Sequence, residues 1–301
     1  MSQGQSTENK RVTAKTHIAV FAFMIYFFLV VPFALIPLLD AIGLASSTVG
    51  AVVANGLFHL LPLLVYILVA RQRPKAVLPP VSLGAKNALY IVGATIAANM
   101  IVLFVNFGHF NTLFNGATPE PMDMPGISSI WIPLVAFGLL IATFEELWYR
   151  GPVYAEYKRR GVSIWKIALM SGILFGVIHT GVFQITYTAI LGILWAFMLY
   201  YTRSIWAPIL AHVVFNVLNI LLNPFFYLSD YSVFWDNHQT YTLIYGIAAL
   251  VMIPVAIWCI RKLIVNNPVE KKAAAKETKL FTLGYWALLA VMIVVAVLTR
   301  M

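Results

Sequence analysis

The sequence predicts an all-α protein, a polytopic transmembrane helical bundle with eight or nine spans. Hydrophobic residues make up 61% of the 301 residues and charged residues only 10%. The hydrophobic residues are gathered into stretches of about twenty, the length at which a helix crosses a ~30 Å hydrocarbon core. The total is eight or nine spans, depending on whether the last stretch crosses the membrane. The candidate spans are 17–39, 48–70, 87–107, 127–150, 164–180, 182–201, 205–227, 240–260 and 281–299.

The distribution of charge along the chain predicts the orientation of these spans. If the N-terminus is cytoplasmic, the Lys and Arg residues lie on the inner side of the membrane or at its edge. Arg300 is the one exception among the 20. The opposite loops carry no Lys or Arg, which is the positive-inside bias of membrane proteins. The net charge of +9 is then explained by contact with anionic inner-leaflet lipid, and no nucleic acid partner is expected. The acidic residues of these outer loops are Asp40, Glu120, Asp123, Asp230 and Asp236.

The domain organisation follows from the same pattern. The polar N-terminal tail is expected to be disordered and cytoplasmic. The first span is too long for a removable signal peptide and has no small-residue cleavage site, so we expect an uncleaved signal anchor. The predicted parts are a tail at 1–16, N-terminal transmembrane helices at 17–126, a central transmembrane core at 127–225 and C-terminal transmembrane helices at 226–301.

Glu145 and Glu146 stand side by side in FEELWYR and are the only acidic residues well inside a hydrophobic segment. An ionisable side chain at membrane depth costs about 2.5 to 10 kcal/mol, so two in succession are hard to explain by packing. Glu146 and Arg150 are four residues apart, which predicts an ion pair on one helix face. Glu145 points about 100° away from that face. We therefore expect Glu146 to be a structural counter-ion and Glu145 to be a general base.

Two further polar pairs lie on other spans. Phe175 and His179 occur in FGVIH, and His212 and Asn216 occur in HVVFN. Both pairs have i, i+4 spacing, so each histidine projects from the same side of its helix as its companion. Three helices can therefore bring a carboxylate, two imidazoles and an amide together inside the bundle.

Depth in the membrane indicates whether these groups can meet. Counted from basic residues at the inner interface, Glu145 and His179 lie about 20 Å deep and His212 lies about 13 Å deep, at 1.5 Å per residue. The depth of Glu145 requires its helix to continue through the Gly-Pro break that follows Arg150. His59 also lies in an apolar span, but it is assigned no role because it has no polar companion.

Three segments of the chain resemble the motifs of a known family. EELWYRG, SGILFGVIHT and TRSIWAPILAHVVFN are similar, in position and order, to the three motifs of the CPBP family, also called Abi or type II CAAX prenyl endopeptidases. The resemblance covers residues 141 to about 219. It implies an intramembrane endopeptidase whose catalytic core lies at 127–225 and whose site is open toward the cytoplasmic side.

The resemblance also implies roles for the residues that match the motifs. Glu145 with His179 would activate the attacking water. His212 and Asn216 would stabilise the tetrahedral oxyanion, as fixed donors do in acyl transfer. The expected structural supports of the site are Glu146, Arg150 and Phe175.

Metal dependence stays open at this point. Members of the family are often labelled metalloproteases, and Glu145, His179 and His212 would supply three zinc ligands with an open fourth position. A carboxylate base and neutral donors suffice without a metal. No cofactor is therefore favoured, and zinc is the alternative.

The resemblance is compatible with more than one class of substrate. Relatives include eukaryotic enzymes that trim prenylated proteins and bacterial members associated with bacteriocin immunity or peptide-pheromone processing. Short loops and the lack of targeting signals favour a bacterial plasma membrane, and the expected partners are the lipid bilayer and a peptide or membrane-protein substrate.

Two other classes of protein are weighed against a protease. A non-catalytic immunity or regulatory scaffold could retain the fold, but it has no need of buried unpaired polar groups. A proton-coupled transporter also places Glu and His in membrane spans, but it should show repeated broken helices in two halves. No such internal repeat is seen in the sequence.

Overall fold

The structure, a computed structural model, describes residues 26–44, 47–69, 73–108, 130–159, 162–179, 182–222 and 231–269. Every regular element within these ranges is a helix, which confirms the all-α class. Several of the helices are apolar along their length, as expected of an integral membrane protein. Five of them are long and apolar enough to span a membrane: Thr48–Leu68, Ala85–Val105, Trp131–Val153, Gln184–Thr202 and Gln239–Asn266.

These five helices coincide with predicted spans, but the predicted count of eight or nine is not confirmed. Spans 164–180 and 205–227 correspond to shorter helices of 14 and 17 residues, because the chain bends after Val177 and the described helix ends at Leu222. Span 17–39 is described from Tyr26 onward. The tail at 1–16, the span at 281–299 and the proposed domain boundaries near 126 and 225 lie outside the described residues.

The helices are numbered here in chain order. α1 begins with a π-helical segment, Tyr26–Leu35, and continues as Ile36–Ala41. α5 is a composite helix that begins at Trp131 and ends at Arg159. The others are α2 (Thr48–Val69), the short α3 (Pro74–Val77), α4 (Ala85–Gly108), α6 (Ile164–Val177), α7 (Val182–Thr202), α8 (Trp206–Leu222) and α9 (Tyr231–Asn266).

α5 carries the acidic pair and changes its helical form four times, between α- and π-helix. An α-helical segment, Ala142–Trp148, lies between π-helical segments at Leu134–Ile141 and Tyr149–Val153. The helix then continues as Tyr154–Arg159. It therefore runs through the Gly-Pro break, as the depth count requires. Proline removes one backbone donor from a helix interior, and here that position is accommodated within a π turn, a form that often occurs at functional sites.

Small residues bring α6 and α7 into close contact. A Cβ added at Gly172 would lie 2.6 Å from the carbonyl oxygen of Ala189, and one added at Gly176 would lie 2.7 Å from that of Ile185. Glycines four residues apart thus let the two backbones touch, which is a common way of packing helices in membranes. The contact holds Phe175, between the two glycines, in the core of the bundle.

The remaining helices surround the acidic segment of α5. α4 packs along α9 and also contacts α8. α8 contacts both the Leu134–Ile141 and the Ala142–Trp148 segments of α5, and α2 contacts the same two segments from its own position in the bundle. The acidic pair therefore lies where side chains from α2, α5, α6 and α8 can meet.

Candidate active site

Glu146 and Arg150 form an ion pair in the interior of the bundle, which confirms the predicted pairing. Nη1 of Arg150 lies 3.0 Å from Oε1 of Glu146, and both side chains are fully buried. Nη2 of Arg150 donates to the carbonyl oxygen of Gly192 on α7 at 2.9 Å. The guanidinium also lies over the rings of Phe175 and Trp195, 4.9 and 5.5 Å from their centroids. Arg150 thus joins α5 to α6 and α7.

His212 lies between the two acidic residues. Its Nδ1 atom is 3.0 Å from Oε1 of Glu146, and its Nε2 atom is 3.8 Å from Oε2 of Glu145. The ring is buried and stacks on Trp195 with centroids 4.3 Å apart. Because a carboxylate only accepts hydrogen bonds, Nδ1–H is the donor to Glu146. Nε2 is then the atom directed toward Glu145, at a separation too long for a direct hydrogen bond.

Glu145 has different neighbours from Glu146. Its side chain is buried, and its Oε1 atom accepts a hydrogen bond from Nδ2 of Asn55 on α2 at 3.3 Å. Its Oε2 atom faces the imidazole of His212. The Glu146 carboxylate is thus held in an ion pair with Arg150, whereas the Glu145 carboxylate contacts an amide and an imidazole.

His179 follows the last turn of α6. Its Nδ1 atom lies 2.8 Å from the carbonyl oxygen of Phe175, so Nδ1–H donates to the backbone of its own helix. The ring of Phe175 packs edge-on against both histidines, 4.8 Å from the centroid of His179 and 5.5 Å from that of His212. Phe175 therefore brings the two imidazoles to the same part of the bundle, and the half-buried His179 lies at its edge.

Asn216 lies one turn after His212 on α8 and contacts the π-helical part of α5. Its Nδ2 atom donates to the carbonyl oxygen of Phe137 at 3.0 Å. An Asn amide carries two N–H groups, so this bond leaves the second for another acceptor. The contact fixes α8 against the segment that precedes the acidic pair.

Four residues near the site were missed by sequence reasoning. Gly192 and Trp195 are apolar residues in an apolar span, and no sequence signal separates them from their neighbours. Asn55 and His59 could have been found, because they have the same i, i+4 spacing as the other polar pairs. His59 does have a polar residue four positions earlier, Asn55, and its Nδ1 atom lies 3.0 Å from the backbone carbonyl oxygen of that residue.

The three residues considered as zinc ligands do not form a ligand set in this arrangement. Among the described residues, no group of three or more His, Cys, Asp or Glu side chains is placed to hold a metal ion. The two nitrogens of His212 are directed at different carboxylates. His179 is bonded through Nδ1 to its own helix.

Fold and site together define a helical membrane protein with a buried cluster of acids and histidines. The family model described as "Type II CAAX prenyl endopeptidase Rce1-like" matches residues 127–218. The matched range contains all three motifs and is consistent with the CPBP family. Over this range the chain is similar to membrane endopeptidases of the CAAX-protease type. No curated protein and no solved structure matched the chain.

Proposed function

We propose that this protein is a glutamate-dependent intramembrane endopeptidase that hydrolyses a peptide bond in a membrane-associated protein or small peptide. The observation that carries the proposal is the 3.8 Å approach of Glu145 Oε2 to His212 Nε2 inside the matched range. The two groups are buried and face each other without a direct hydrogen bond, so both can contact one small molecule between them.

Hydrolysis at this site requires a general base, a hydrogen-bond donor to the oxyanion, and transfer of the proton from the base to the leaving nitrogen. Glu145, assisted by His179, takes a proton from water as the water oxygen bonds to the peptide carbonyl carbon. The carbonyl oxygen becomes an oxyanion, which His212 and Asn216 stabilise by donating hydrogen bonds. The C–N bond then breaks, and the proton held by Glu145 passes to the leaving nitrogen, which restores the carboxylate.

The position of His212 suits this role when the ring carries protons on both nitrogens. Nδ1–H donates to Glu146, and Nε2–H can then donate to the oxyanion. The carboxylates of Glu145 and Glu146 lie on either side of the ring and supply counter-charges. Arg150 balances the remaining negative charge, and Phe175 keeps both imidazoles at the site. Glu146, Arg150 and Phe175 therefore act as supports.

We further propose that the reaction does not use zinc. The support for this proposal is the donor arrangement, in which His212 is shared between two carboxylates and Glu145 also accepts from an amide. Side chains of the protein supply both the general base and the hydrogen-bond donors to the oxyanion that peptide hydrolysis needs. Zinc bound by Glu145, His179 and His212 is the competing mechanism, and bound-metal content distinguishes it.

For the biological setting, we propose a bacterial plasma membrane with the N-terminus in the cytoplasm. The positive-inside distribution of Lys and Arg supports this orientation. In such a membrane a small secreted or membrane-bound peptide, such as a bacteriocin or a peptide pheromone, is the substrate class that fits better than a prenylated protein.

A cleavage assay in proteoliposomes tests the proposed function. Fluorogenic peptides would comprise a prenylated CAAX peptide, the same peptide without the lipid, and a hydrophobic leader-type peptide. We expect the wild-type protein and the Asp40→Asn variant, altered at an exposed residue of α1, to cleave at least one peptide. Glu145→Gln should cleave none. Equal cleavage by Glu145→Gln would contradict the proposal, and a folded wild-type protein that cleaves none of them would favour a scaffold or transporter.

A further inference from the structure

α2 presents a polar face to the acidic segment of α5. Asn55 and His59 occur in NGLFH and are four residues apart, so their side chains lie on one side of the helix. α2 contacts the Ala142–Trp148 segment, and Gly56 faces the ring of Phe144 there. This helix lies outside residues 127–218, the range matched by the family model. Its contacts with the site are therefore an addition to those the motifs predict.

The hydrogen bond from Asn55 to Glu145 has a defined direction. Nδ2 of Asn55 lies 3.3 Å from Oε1 of Glu145. The other atom of the amide, Oδ1, is buried and has no hydrogen-bond partner among the described residues. Turning the amide over would bring two acceptor oxygens together, so the nitrogen must face the carboxylate. Asn55 is half-buried, and its one side-chain bond leaves the buried Oδ1 unsatisfied, so the placement of the amide is not explained by its own hydrogen-bonding needs.

His59 holds this face of α2 in place. Its ring is 1% exposed and packs against Tyr149 of α5 with centroids 5.9 Å apart. Its Nδ1–H donates to the backbone oxygen of Asn55 at 3.0 Å. The polar face of α2 is thus directed to the same cluster as the predicted catalytic residues.

We propose that Asn55 is a positioning residue for Glu145. By holding Oε1, the Asn55 amide leaves Oε2 directed at His212 and fixes the side chain in the orientation needed to take a proton from water. The inference rests on the proposed endopeptidase function, because it gives Asn55 its role through the general base. It extends the active site to a fourth helix, which carries none of the three sequence motifs.

Steady-state kinetics of Asn55 variants test the inference. Removal of a hydrogen bond to a charged group should lower kcat of Asn55→Ala about 10- to 100-fold, with KM changed less than about twofold. Asn55→Asp has the same shape but places an acceptor at the donor position, so its kcat should fall at least as far. The matched control is Asn219→Ala, since the amide of Asn219 donates to Phe215 of its own helix, and this variant should keep wild-type kcat.

A double variant separates positioning from a general effect on folding. In a Glu145→Asp background the shorter carboxylate no longer reaches the amide, so adding Asn55→Ala should lower kcat less than about threefold. The same loss in both backgrounds would show that Asn55 acts on stability and not through Glu145. Wild-type kcat in both Asn55→Ala and Asn55→Asp would overturn the inference while leaving the protease intact. Full activity of Glu145→Gln would instead overturn the proposed function.

Discussion

The Nδ1 atom of His212 lies 3.0 Å from the Oε1 atom of Glu146. This oxygen also accepts the hydrogen bond from Arg150. Glu146 was expected to serve only as the counter-ion of Arg150. Its carboxylate therefore also fixes the orientation of the His212 imidazole on α8. Loss of the Glu146 carboxylate should affect both the stability of the bundle and the position of the His212 imidazole.

Glu146→Gln should lower both stability and activity. The change leaves Arg150 buried without its counter-ion, which costs about 3 to 5 kcal/mol when one partner of a buried pair is removed. Thermal unfolding in detergent would measure this loss beside the cleavage assay. The double variant Glu146→Gln/Arg150→Gln removes both charges and should recover part of the stability but not the activity. A melting temperature equal to that of the wild type would show that the pair is dispensable.

Glu145→Gln should have the opposite profile. It removes the base but leaves the Glu146–Arg150 ion pair intact, so cleavage should fall by about 10²- to 10⁴-fold while the unfolding temperature stays close to that of the wild type. The comparison is Asp40→Asn, an acid-to-amide change at an exposed position, which should alter neither quantity. If the Glu145 and Glu146 variants lost equal stability and equal activity, the division of roles between the two acids would be wrong.

Gly192→Ala should destabilise the packing around Arg150. A Cβ at this position would lie 2.9 Å from Cα of Gly172 and 3.2 Å from Nη2 of Arg150. Overpacking of this kind costs about 1 to 3 kcal/mol, which thermal unfolding would detect. Gly56→Ala is the matched control, because its Cβ would meet only Phe144, at an ordinary 3.5 Å. Equal melting temperatures of the two variants would contradict the close approach of α6 and α7.

Purified protein should contain far less than one equivalent of zinc. Elemental analysis would measure the metal, and strong chelators should leave most of the activity intact. A catalytic zinc ion would polarise the water directly, and activity would then return only when metal is restored. Stoichiometric zinc that is lost in His179→Ala or His212→Ala would establish the metal-dependent mechanism.

The parts of the fold that sequence predicted well are those fixed by local spacing. The hydrophobic stretches predict helices because a helix in lipid must satisfy its own backbone groups. The pairing of Glu146 with Arg150 follows from a four-residue separation within one helix. The bond between Glu146 and His212 joins residues 66 positions apart, and the periodicity of one helix does not determine how it turns toward another.

Asn55 illustrates the same limit. The i, i+4 spacing of Asn55 and His59 was present in the sequence, but spacing alone does not distinguish a polar face directed at the site from one directed elsewhere. Trp195 carried even less signal, because an aromatic residue in an apolar span is ordinary. Its role as the stacking surface for His212 depends on the close packing of α6 and α7 through their glycines.

The π-helical segments of α5 make the site dependent on chain length. The segment Leu134–Ile141 precedes the acidic pair, and its Phe137 carbonyl receives the amide of Asn216. A π turn encloses one more residue than an α turn. Deleting one residue between Phe137 and Glu145 would change the helical form of this segment and, with it, the position of Glu145 relative to the contact with Asn216. We therefore expect insertions and deletions in this segment to lower activity with all the proposed site side chains still encoded, an effect that scanning by substitution would not reveal.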